Sequence, residues 1–236
     1  MNKIEYLTID DEVNVYVVGD IHGDYDQLIN RLKELGFRFD RDLLLAVGDL
    51  IDRGEQNEKC VGLINELWFK TVRGNHEDFC IKGFMNDTIA FYHKMQNNGG
   101  EWFYKQPEGI QQAIVNIFDK LPYMLEVSYR GKKFGFVHAD LPYEDWELIK
   151  ECVNNNDIIN GRDITDYLIW SRGIIENYES TGYEPIIAQV DNVFLGHTVL
   201  PEVTQVGNIT FLDTGGCFKK FDNRYKLSII NLSDYA

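Results

Sequence analysis

Six side chains with metal-binding atoms occur along the chain, each just past an apolar run that is typical of a strand. They are Asp20, His22, Asp49, Asn75, His138 and His197. Oxygen and imidazole donors without a thiolate suit divalent cations such as Mn²⁺, Fe²⁺ or Zn²⁺, rather than Ca²⁺ or a structural zinc site built from cysteines. Two such ions about 3.5–4 Å apart need a bridging carboxylate, and a hydroxide that they share is a strong nucleophile at neutral pH. Two aspartates leave part of the ions' charge uncompensated, which favours a phosphoryl substrate.

The segment 48–54, with the sequence GDLIDRG, is the most informative of these strand ends. Gly48 lets the backbone turn sharply after the apolar run 43–47, so that Asp49 emerges at the carboxyl end of a predicted strand. Open α/β sheets place their ligand sites at that edge. Taken alone, an acidic turn of this kind is equally consistent with a purely structural turn. Matching chemistry at the ends of four other predicted strands favours a functional site.

The strands that carry these residues are predicted from apolar runs and from alternation of apolar and polar residues. They lie at 13–18, 40–47, 69–72, 125–129, 133–137, 191–195, 209–212 and 227–232. Helical patterns follow each of the first three strands, and residues 78–120 are mostly helical. This alternation of β and α units predicts a mainly parallel sheet.

Two helices have recognisable boundaries or faces. In the first, Asp24 and Gln27 form a predicted capping box, and Gly36 closes the helix in a left-handed conformation. The second follows residue 54, and four side chains are predicted on its inner face. These are Cys60, Leu63, Ile64 and Leu67.

Composition restricts the class of protein. With 236 residues, 44% of them hydrophobic, the chain suits one domain spanning 1–236. The formal net charge of −15 argues against a nucleic-acid partner and against an anionic membrane. There is no signal-peptide pattern at the amino terminus and no stretch of membrane-spanning length. Four separated cysteines then predict reduced thiols in a cytoplasmic protein, whereas the oligomeric state stays open.

Three blocks of sequence, together with two later histidines, resemble a known family. The blocks are 19–23 (GDIHG), 48–54 (GDLIDRG) and 74–77 (GNHE), followed by His138, the segment 170–172 (WSR) and His197. This set is similar to the phosphoprotein phosphatase family of metallophosphoesterases, and most similar to its bacteriophage lambda type. The resemblance extends from about Val15 to Asp213. It implies an α/β fold, a four-layer α/β/β/α sandwich with mixed sheets and a dinuclear metal site at the strand ends.

The resemblance also implies two metal sites, most often occupied by Mn²⁺, with Fe²⁺ and Zn²⁺ as alternatives. Asp49 would bridge the two ions. The remaining ligands would be Asp20 and His22 for one ion, and Asn75, His138 and His197 for the other.

The catalytic and phosphate-binding roles follow from the same resemblance. His76 would be the general acid and Asp52 would orient it, because a serine alkoxide is a poor leaving group that needs a proton. The catalytic set would include Arg53 and Arg172. The phosphate would be bound by Arg53, Arg73, Arg172 and Asn75. Arg73 has a competing interpretation, in which it pairs with an acid and supports the turn.

The implied activity is hydrolysis of phosphoserine and phosphothreonine in proteins or peptides, with phosphotyrosine as a further substrate, through direct attack by a metal-bridging hydroxide. One alternative is a diadenosine tetraphosphate hydrolase on the same fold. Another is a non-catalytic phosphate-binding module. Outside the motifs, His93 is interpreted as an ordinary surface or satisfied histidine, Glu77 as a brace of its turn, and Asp140 and Asp213 as supporting residues.

Overall fold

Two β-sheets form the centre of the fold in the computed structural model, which describes residues 2–236. The larger sheet has six strands in the spatial order β1 (Ile4–Thr8), β5 (Met124–Tyr129), β6 (Lys132–Val137), β9 (Asn192–Leu195), β11 (Ile209–Phe211) and β10 (Thr204–Val206). The smaller sheet has four strands in the order β12 (Ile229–Asn231), β2 (Val15–Val18), β3 (Leu43–Ala46) and β4 (Phe69–Thr71). Two short strands, β7 (Ile158–Ile159) and β8 (Arg162–Asp163), pair separately.

Helices connect the strands. They are α1 (Tyr25–Glu34), α2 (Asn57–Gly62), α3 (Asn75–Phe84), α4 (Asp87–Lys94), α5 (Glu101–Tyr104), α6 (Glu108–Phe118), α7 (Trp146–Asn155), α8 (Ile164–Trp170) and α9 (Gly173–Thr181). Short 3₁₀ turns occur at Leu63–Asn65, Gly216–Phe218 and Leu232–Tyr235.

Three hydrophobic clusters separate four layers. One lies between the sheets and includes Val17, Leu45 and Phe136. A second packs α1, α2, α3 and α6 onto the outer face of the smaller sheet, and a third packs α7 and α8 onto the outer face of the larger one. Neighbouring residues of one strand serve different clusters, as Leu44 and Leu45 of β3 do, because successive side chains of a strand point to opposite faces. The predicted α/β/β/α sandwich with mixed sheets is confirmed.

The register of the strands brings their carboxyl ends to one edge. β2, β3 and β4 run parallel, with Val18 opposite Ala46 and Ala46 opposite Thr71. In the larger sheet β6 and β9 are also parallel, with Phe136 opposite Phe194. The loops that follow these five strands therefore meet in one region of the molecule.

Local predictions are confirmed in part. Gly36 follows α1 with a φ of +73°, the left-handed conformation that was predicted. Asp24 precedes α1, but its side chain makes no capping bond to the backbone and instead accepts a hydrogen bond from Nε2 of Gln27 over 2.6 Å. The predicted capping box is therefore wrong in its hydrogen bonding.

The helix predicted after residue 54 is shorter than expected. α2 ends at Gly62 and the chain continues as a 3₁₀ turn, which rotates Leu67 into solvent. Leu67 is 97% exposed, so its predicted place on the inner face is wrong, whereas Cys60 and Leu63 are buried as predicted. Strand β1 was not predicted. It pairs in parallel with β5 at the edge of the larger sheet, and only Ile4 of its five residues is fully buried.

Within the described part of the chain, no helix is long and apolar enough to cross a membrane. Cys60, Cys80, Cys152 and Cys217 are all buried free thiols.

Candidate metal centre

The six predicted metal-binding residues converge at the common edge of the strands. Each lies in a loop that follows a strand or at the first residue of the next helix, and all six are buried. They are Asp20, His22, Asp49, Asn75, His138 and His197. Residues separated by up to 177 positions are in contact, since the backbone N–H of His197 donates to both carboxylate oxygens of Asp20 over 3.1 and 3.2 Å.

Asp49 lies at the middle of the group. Its Oδ1 atom is 3.3 Å from Nε2 of His138, and its Oδ2 atom is 3.7 Å from Nε2 of His22. The donor atoms of Asp49, His138 and His197 lie within 4.8 Å of one another, and so do those of Asp49, His22 and His76. Two groups of possible ligands therefore share one carboxylate, which is the arrangement that a bridging ligand requires.

Backbone carbonyls orient two of the imidazoles. Nδ1 of His22 lies 2.8 Å from the carbonyl oxygen of Ile51, and Nδ1 of His138 lies 2.8 Å from that of Val47. Because a carbonyl only accepts, each Nδ1 carries the proton and donates it. Each Nε2 then carries a lone pair, as in histidines that ligate a metal through one nitrogen and donate from the other.

Asn75 completes one side of the group. Its Oδ1 atom lies 2.9 Å from Nε2 of His138 and 3.0 Å from Nδ1 of His197. An amide oxygen has no proton to give, and Nε2 of His138 has none when its Nδ1 donates to the backbone. The acceptors of Asn75, His138 and Asp49 thus face one another, and a cation would satisfy all of them.

Buried acids add negative charge. Burial, followed by the charges of Asp213 and Asp49, raises the pKa of Asp20 well above its ordinary value. Burial also raises the pKa of Asp213. Carboxylates buried together in this way are costly unless a cation compensates them. The charge of Arg53 lowers both pKa values in part, and its guanidinium lies against Nε2 of His22. The residues therefore fit a centre for divalent cations.

Backbone strain is concentrated here. Five residues of the site, none of them glycine, have a positive φ of 48° to 74°. They are His22, Asp49, Asp52, Arg53 and His197. Such conformations cost about 1–3 kcal/mol each and persist only where the surrounding structure imposes them. The surrounding structure thus holds the loops after the strands in strained conformations, and these fix the orientation of the site residues.

Glu77 braces these loops. Its carboxylate accepts hydrogen bonds from the backbone N–H groups of Gly74, Asp49 and Leu50 over 2.8, 3.0 and 2.8 Å. It therefore ties the first turn of α3 to the loop that follows β3, in agreement with the predicted bracing role. Burial and the charge of Asp49 raise the pKa of Glu77 to about 7, whereas the N–H donors act in the opposite direction.

His76 and Asp52 form a close pair beside the metal-binding group. Nδ1 of His76 lies 2.6 Å from Oδ2 of Asp52, and Nε2 of His76 lies 3.8 Å from Oδ2 of Asp49. Burial alone would raise the pKa of Asp52, but hydrogen bonds from His76 and His93 outweigh it and lower that pKa. Asp52 therefore stays ionised and fixes the His76 ring, with Nε2 facing Asp49.

His93 was missed from sequence. The structure buries its ring completely and places Nε2 2.7 Å from Oδ2 of Asp52 and Nδ1 3.0 Å from the Tyr104 hydroxyl. Of the two interpretations, a surface histidine is wrong and a satisfied one is right, but its contact with Asp52 was not predicted. Trp102 also donates to Asp52, from Nε1 to Oδ1 over 2.6 Å. Neither residue belongs to a recognisable motif, and both come from the helical segment after α3. Nothing in their spacing pointed to Asp52.

The three predicted phosphate-binding arginines differ in their surroundings. Arg53 donates from Nε to the carbonyl oxygen of Asn97 over 3.2 Å and stacks above Phe218, at the edge of the centre. Arg172 is exposed just before α9. Burial, then the charges of His138 and Arg172, lower the pKa of His197 to about 2.

Arg73 is placed differently. Its guanidinium is 3% exposed, donates to the hydroxyl of Tyr123 over 3.0 Å and to the carbonyl oxygen of Asp119 over 2.7 Å, and lies 3.9 Å from Asp78. It also stacks on the Tyr123 ring. These are the contacts of a structural network. The prediction that Arg73 faces the phosphate is therefore corrected in favour of its competing interpretation, in which Arg73 pairs with an acid and supports the turn.

Comparisons with known proteins agree with this geometry. The family model of calcineurin-like phosphoesterases matches residues 13–226. Serine/threonine-protein phosphatase 2 of Salmonella typhimurium is 33% identical over 220 residues, which cover 91% of this chain and 94% of that protein. The symmetrical bis(5′-nucleosyl)-tetraphosphatase of Mannheimia succiniciproducens is 42% identical over 64 residues, only 26% of this chain and 23% of that protein.

Among solved structures, one named provisionally as a diadenosine tetraphosphatase has the same fold. It superposes with a TM-score of 0.65 at 20% identity and covers 98% of this chain and 95% of its own. The family match, the long alignment with a bacterial protein phosphatase and the GDIHG, GDLIDRG and GNHE blocks agree with one another. The chain therefore belongs to the calcineurin-like phosphoesterases, and within them to the phosphoprotein phosphatase family of metallophosphoesterases.

Proposed function

We propose that this protein is a metal-dependent phosphomonoester hydrolase that acts on phosphoserine and phosphothreonine in proteins, with phosphotyrosine as a further substrate. The observation that carries the proposal is the pair of His76 and Asp52 beside the shared carboxylate of Asp49. A proton donor next to a cation centre is what hydrolysis of an alkyl phosphate needs, because the leaving alkoxide must be protonated.

We assign one cation to Asp20, His22 and Asp49, and a second to Asp49, Asn75, His138 and His197. When bound, the cations would supply the activated water and neutralise charge on the phosphoryl oxygens. Mn²⁺ is the proposed metal, with Fe²⁺ and Zn²⁺ as alternatives, since all three accept oxygen and imidazole ligands.

The protein's own groups would orient the substrate and deliver the proton. Asp52 accepts from Nδ1 of His76, which leaves Nε2 to donate to the leaving oxygen. Arg53 and Arg172 can each offer a planar fork of N–H groups to phosphate oxygens. The Arg53 guanidinium lies against Nε2 of His22, at the edge of the proposed metal-binding group, where a phosphate would be bound.

The substrate class is supported by the long alignment with a bacterial serine/threonine protein phosphatase. A second candidate is hydrolysis of diadenosine tetraphosphate, which the shorter alignment with a tetraphosphatase favours. The retained His76 and Asp52 argue against a non-catalytic phosphate-binding module. We propose a cytoplasmic protein without a nucleic-acid or membrane partner, in keeping with the net charge of −15 and the buried free thiols.

The test is a paired assay of chelated and Mn²⁺-reconstituted protein on a phosphoserine peptide and on diadenosine tetraphosphate. We expect activity to vanish with chelation, to return with Mn²⁺ and to favour the phosphopeptide. Preference for the dinucleotide would establish the second candidate instead. Activity that survives exhaustive chelation would exclude the metal-dependent mechanism.

His76→Asn tests the general acid separately. We expect turnover of the phosphoserine peptide to fall roughly 10²-fold or more, and that of 4-nitrophenyl phosphate to fall far less, because nitrophenolate leaves without a proton. Equal losses on the two substrates would refute the role of His76.

A further inference from the structure

His93 reaches the carboxylate that orients His76. Its Nε2 atom lies 2.7 Å from Oδ2 of Asp52, and the same oxygen lies 2.6 Å from Nδ1 of His76. One carboxylate oxygen is therefore held between two imidazoles that come from different helices, α3 and α4. Both rings and the carboxylate are buried, so water does not compete for these bonds.

The remaining hydrogen bonds fix the direction of donation through the network. The ionised Asp52 only accepts, so His93 must donate from Nε2, and a neutral His93 then accepts at Nδ1. Nδ1 of His93 lies 3.0 Å from the hydroxyl of Tyr104, which can supply the required proton. Trp102 donates from Nε1 to the other oxygen of Asp52 over 2.6 Å. The Asp52 carboxylate is thus held by three ring N–H donors.

The imidazole of His93 is closely packed by its neighbours. The imidazole stacks on Phe79 with ring centroids 5.1 Å apart and an interplanar angle of 12°. Gly100 also packs against the ring, and a Cβ atom there would overlap the imidazole. A Cβ atom on Gly83 would likewise overlap the Tyr104 hydroxyl. Two glycines therefore provide the space that His93 and its partner occupy.

Asp52, His76 and His93 also satisfy the distance criterion for three metal ligands. A hydrogen-bonded network describes them better. The two nitrogens lie 2.6 and 2.7 Å from one oxygen, which is the spacing of strong hydrogen bonds, whereas ligands about 2.0–2.2 Å from one tetrahedral cation stand farther apart.

We propose that His93 is a positioning residue for catalysis. It acts through Asp52 to hold the His76 ring in the one orientation that presents Nε2 to the leaving oxygen. A single bond from His76 would leave the carboxylate free to rotate, whereas donors from α4 and α5 fix both of its oxygens. This inference rests on the proposed general-acid role of His76.

The test compares His93→Phe with His93→Gln in full-length protein saturated with Mn²⁺. Phenylalanine keeps a ring against Phe79 but cannot donate, whereas the glutamine amide can donate to Asp52. Turnover is measured on a phosphoserine peptide and on 4-nitrophenyl phosphate, and bound metal is measured for each variant. Phe91→Leu, at an exposed position of the same helix, is the matched control. His76→Asn is the reference for loss of the general acid.

We expect His93→Phe to lower kcat on the phosphopeptide roughly 10-fold more than kcat on the aryl phosphate, with KM and metal content unchanged, and His93→Gln to recover most of the loss. Equal losses on both substrates, or no rescue by glutamine, would assign His93 a merely structural role. If His76→Asn shows no difference between the substrates, the proposed function fails. If His76→Asn distinguishes the two substrates but His93→Phe lowers kcat equally on both, the positioning role of His93 fails.

A second readout does not need turnover. The Nδ1–H proton of His76 should give a sharp, slowly exchanging NMR signal in the metal-free wild type and in His93→Gln, but not in His93→Phe. Should His93→Phe fail to fold, Gly100→Ala displaces the same ring and should produce the same loss of signal. A sharp signal in a folded Gly100→Ala or His93→Phe protein would overturn the proposal.

Discussion

The backbone N–H of His76 donates a hydrogen bond to Oδ1 of Asp49 over 3.0 Å. This bond joins the first turn of α3 to the carboxylate at the middle of the metal-binding group. The amino terminus of a helix carries partial positive charge, so the contact also helps to keep Asp49 ionised. One backbone contact thereby sets the position of His76, the proposed proton donor, relative to Asp49, the proposed shared ligand.

Gly74 makes this contact possible. A Cβ atom at Gly74 would overlap Oδ1 of Asp49 and would lie 2.8 Å from Oε2 of Glu77. We expect Gly74→Ala to push α3 away from Asp49, to lower the free energy of unfolding by about 1–3 kcal/mol and to weaken Mn²⁺ binding. Urea unfolding and calorimetric titration measure the two effects.

The control is Gly109→Ala in the first turn of α6, where a Cβ atom would meet nothing within 4 Å. That change should stabilise the protein by up to about 1 kcal/mol, because alanine is the better helix former. If Gly74→Ala were as harmless as its control, the close approach of α3 to Asp49 would be disproved.

Substitution of Arg73 should affect the stability of the fold, whereas substitution of Arg53 should affect phosphate binding. We expect Arg73→Met to lower the free energy of unfolding by about 3 kcal/mol, because it leaves the buried Asp78 carboxylate with fewer partners. Arg53→Met should leave that free energy almost unchanged and raise KM for the phosphopeptide. Chemical unfolding and steady-state kinetics on both variants provide the measurements. A stable Arg73→Met protein with weakened phosphate binding would restore the original prediction for Arg73.

Asp42 should account for part of the loss of folding stability at low pH. Burial alone would raise its pKa, but hydrogen bonds from the side chain and backbone N–H of Arg38 outweigh it and lower that pKa. Since the pKa is lower in the folded state, Asp42 stabilises the fold above the unfolded pKa of about 3.9, and this stability is lost as the pH falls through the folded value.

We therefore expect Asp42→Asn to cost about 1–2 kcal/mol at pH 7, and this difference to shrink as the pH falls below about 3.9. Unfolding free energies of both proteins across this pH range test the sign. Asp40→Asn, at an exposed neighbouring position, serves as the control. A difference between wild type and Asp42→Asn that does not shrink as the pH falls below about 3.9 would contradict the assigned shift.

The layered fold and the meeting of the strand ends could be predicted because both depend on short-range patterns. Apolar runs locate β2, β3 and β4, and parallel strands bring their following loops to one edge. The residues that carry chemistry stand directly after those runs. For Asp20, Asp49 and His138, the predicted strand was therefore enough to predict that the side chain lies at this edge.

His93, Arg73 and Leu67 could not be placed in this way. The role of His93 depends on how α4 packs beside α3, and that of Arg73 on the long-range approach of Asp119 and Tyr123. Leu67 fits the helical spacing of apolar residues, but α2 ends at Gly62, so Leu67 lies beyond the helix. Tertiary contacts and a helix end determine the positions of these three residues, and neither feature produces a periodic pattern in the sequence.

The central claim is that a carboxylate shared between two groups of ligands holds a pair of divalent cations. Calorimetric titration of chelated protein with Mn²⁺, repeated on Asp49→Asn, tests it most directly. We predict about two ions per chain in the wild type and loss of tight binding at both sites in the variant, because Asp49 is assigned to both and lies 3.7 Å from His22 and 3.3 Å from His138. No tight binding by the wild type, or full binding by Asp49→Asn, would contradict the claim.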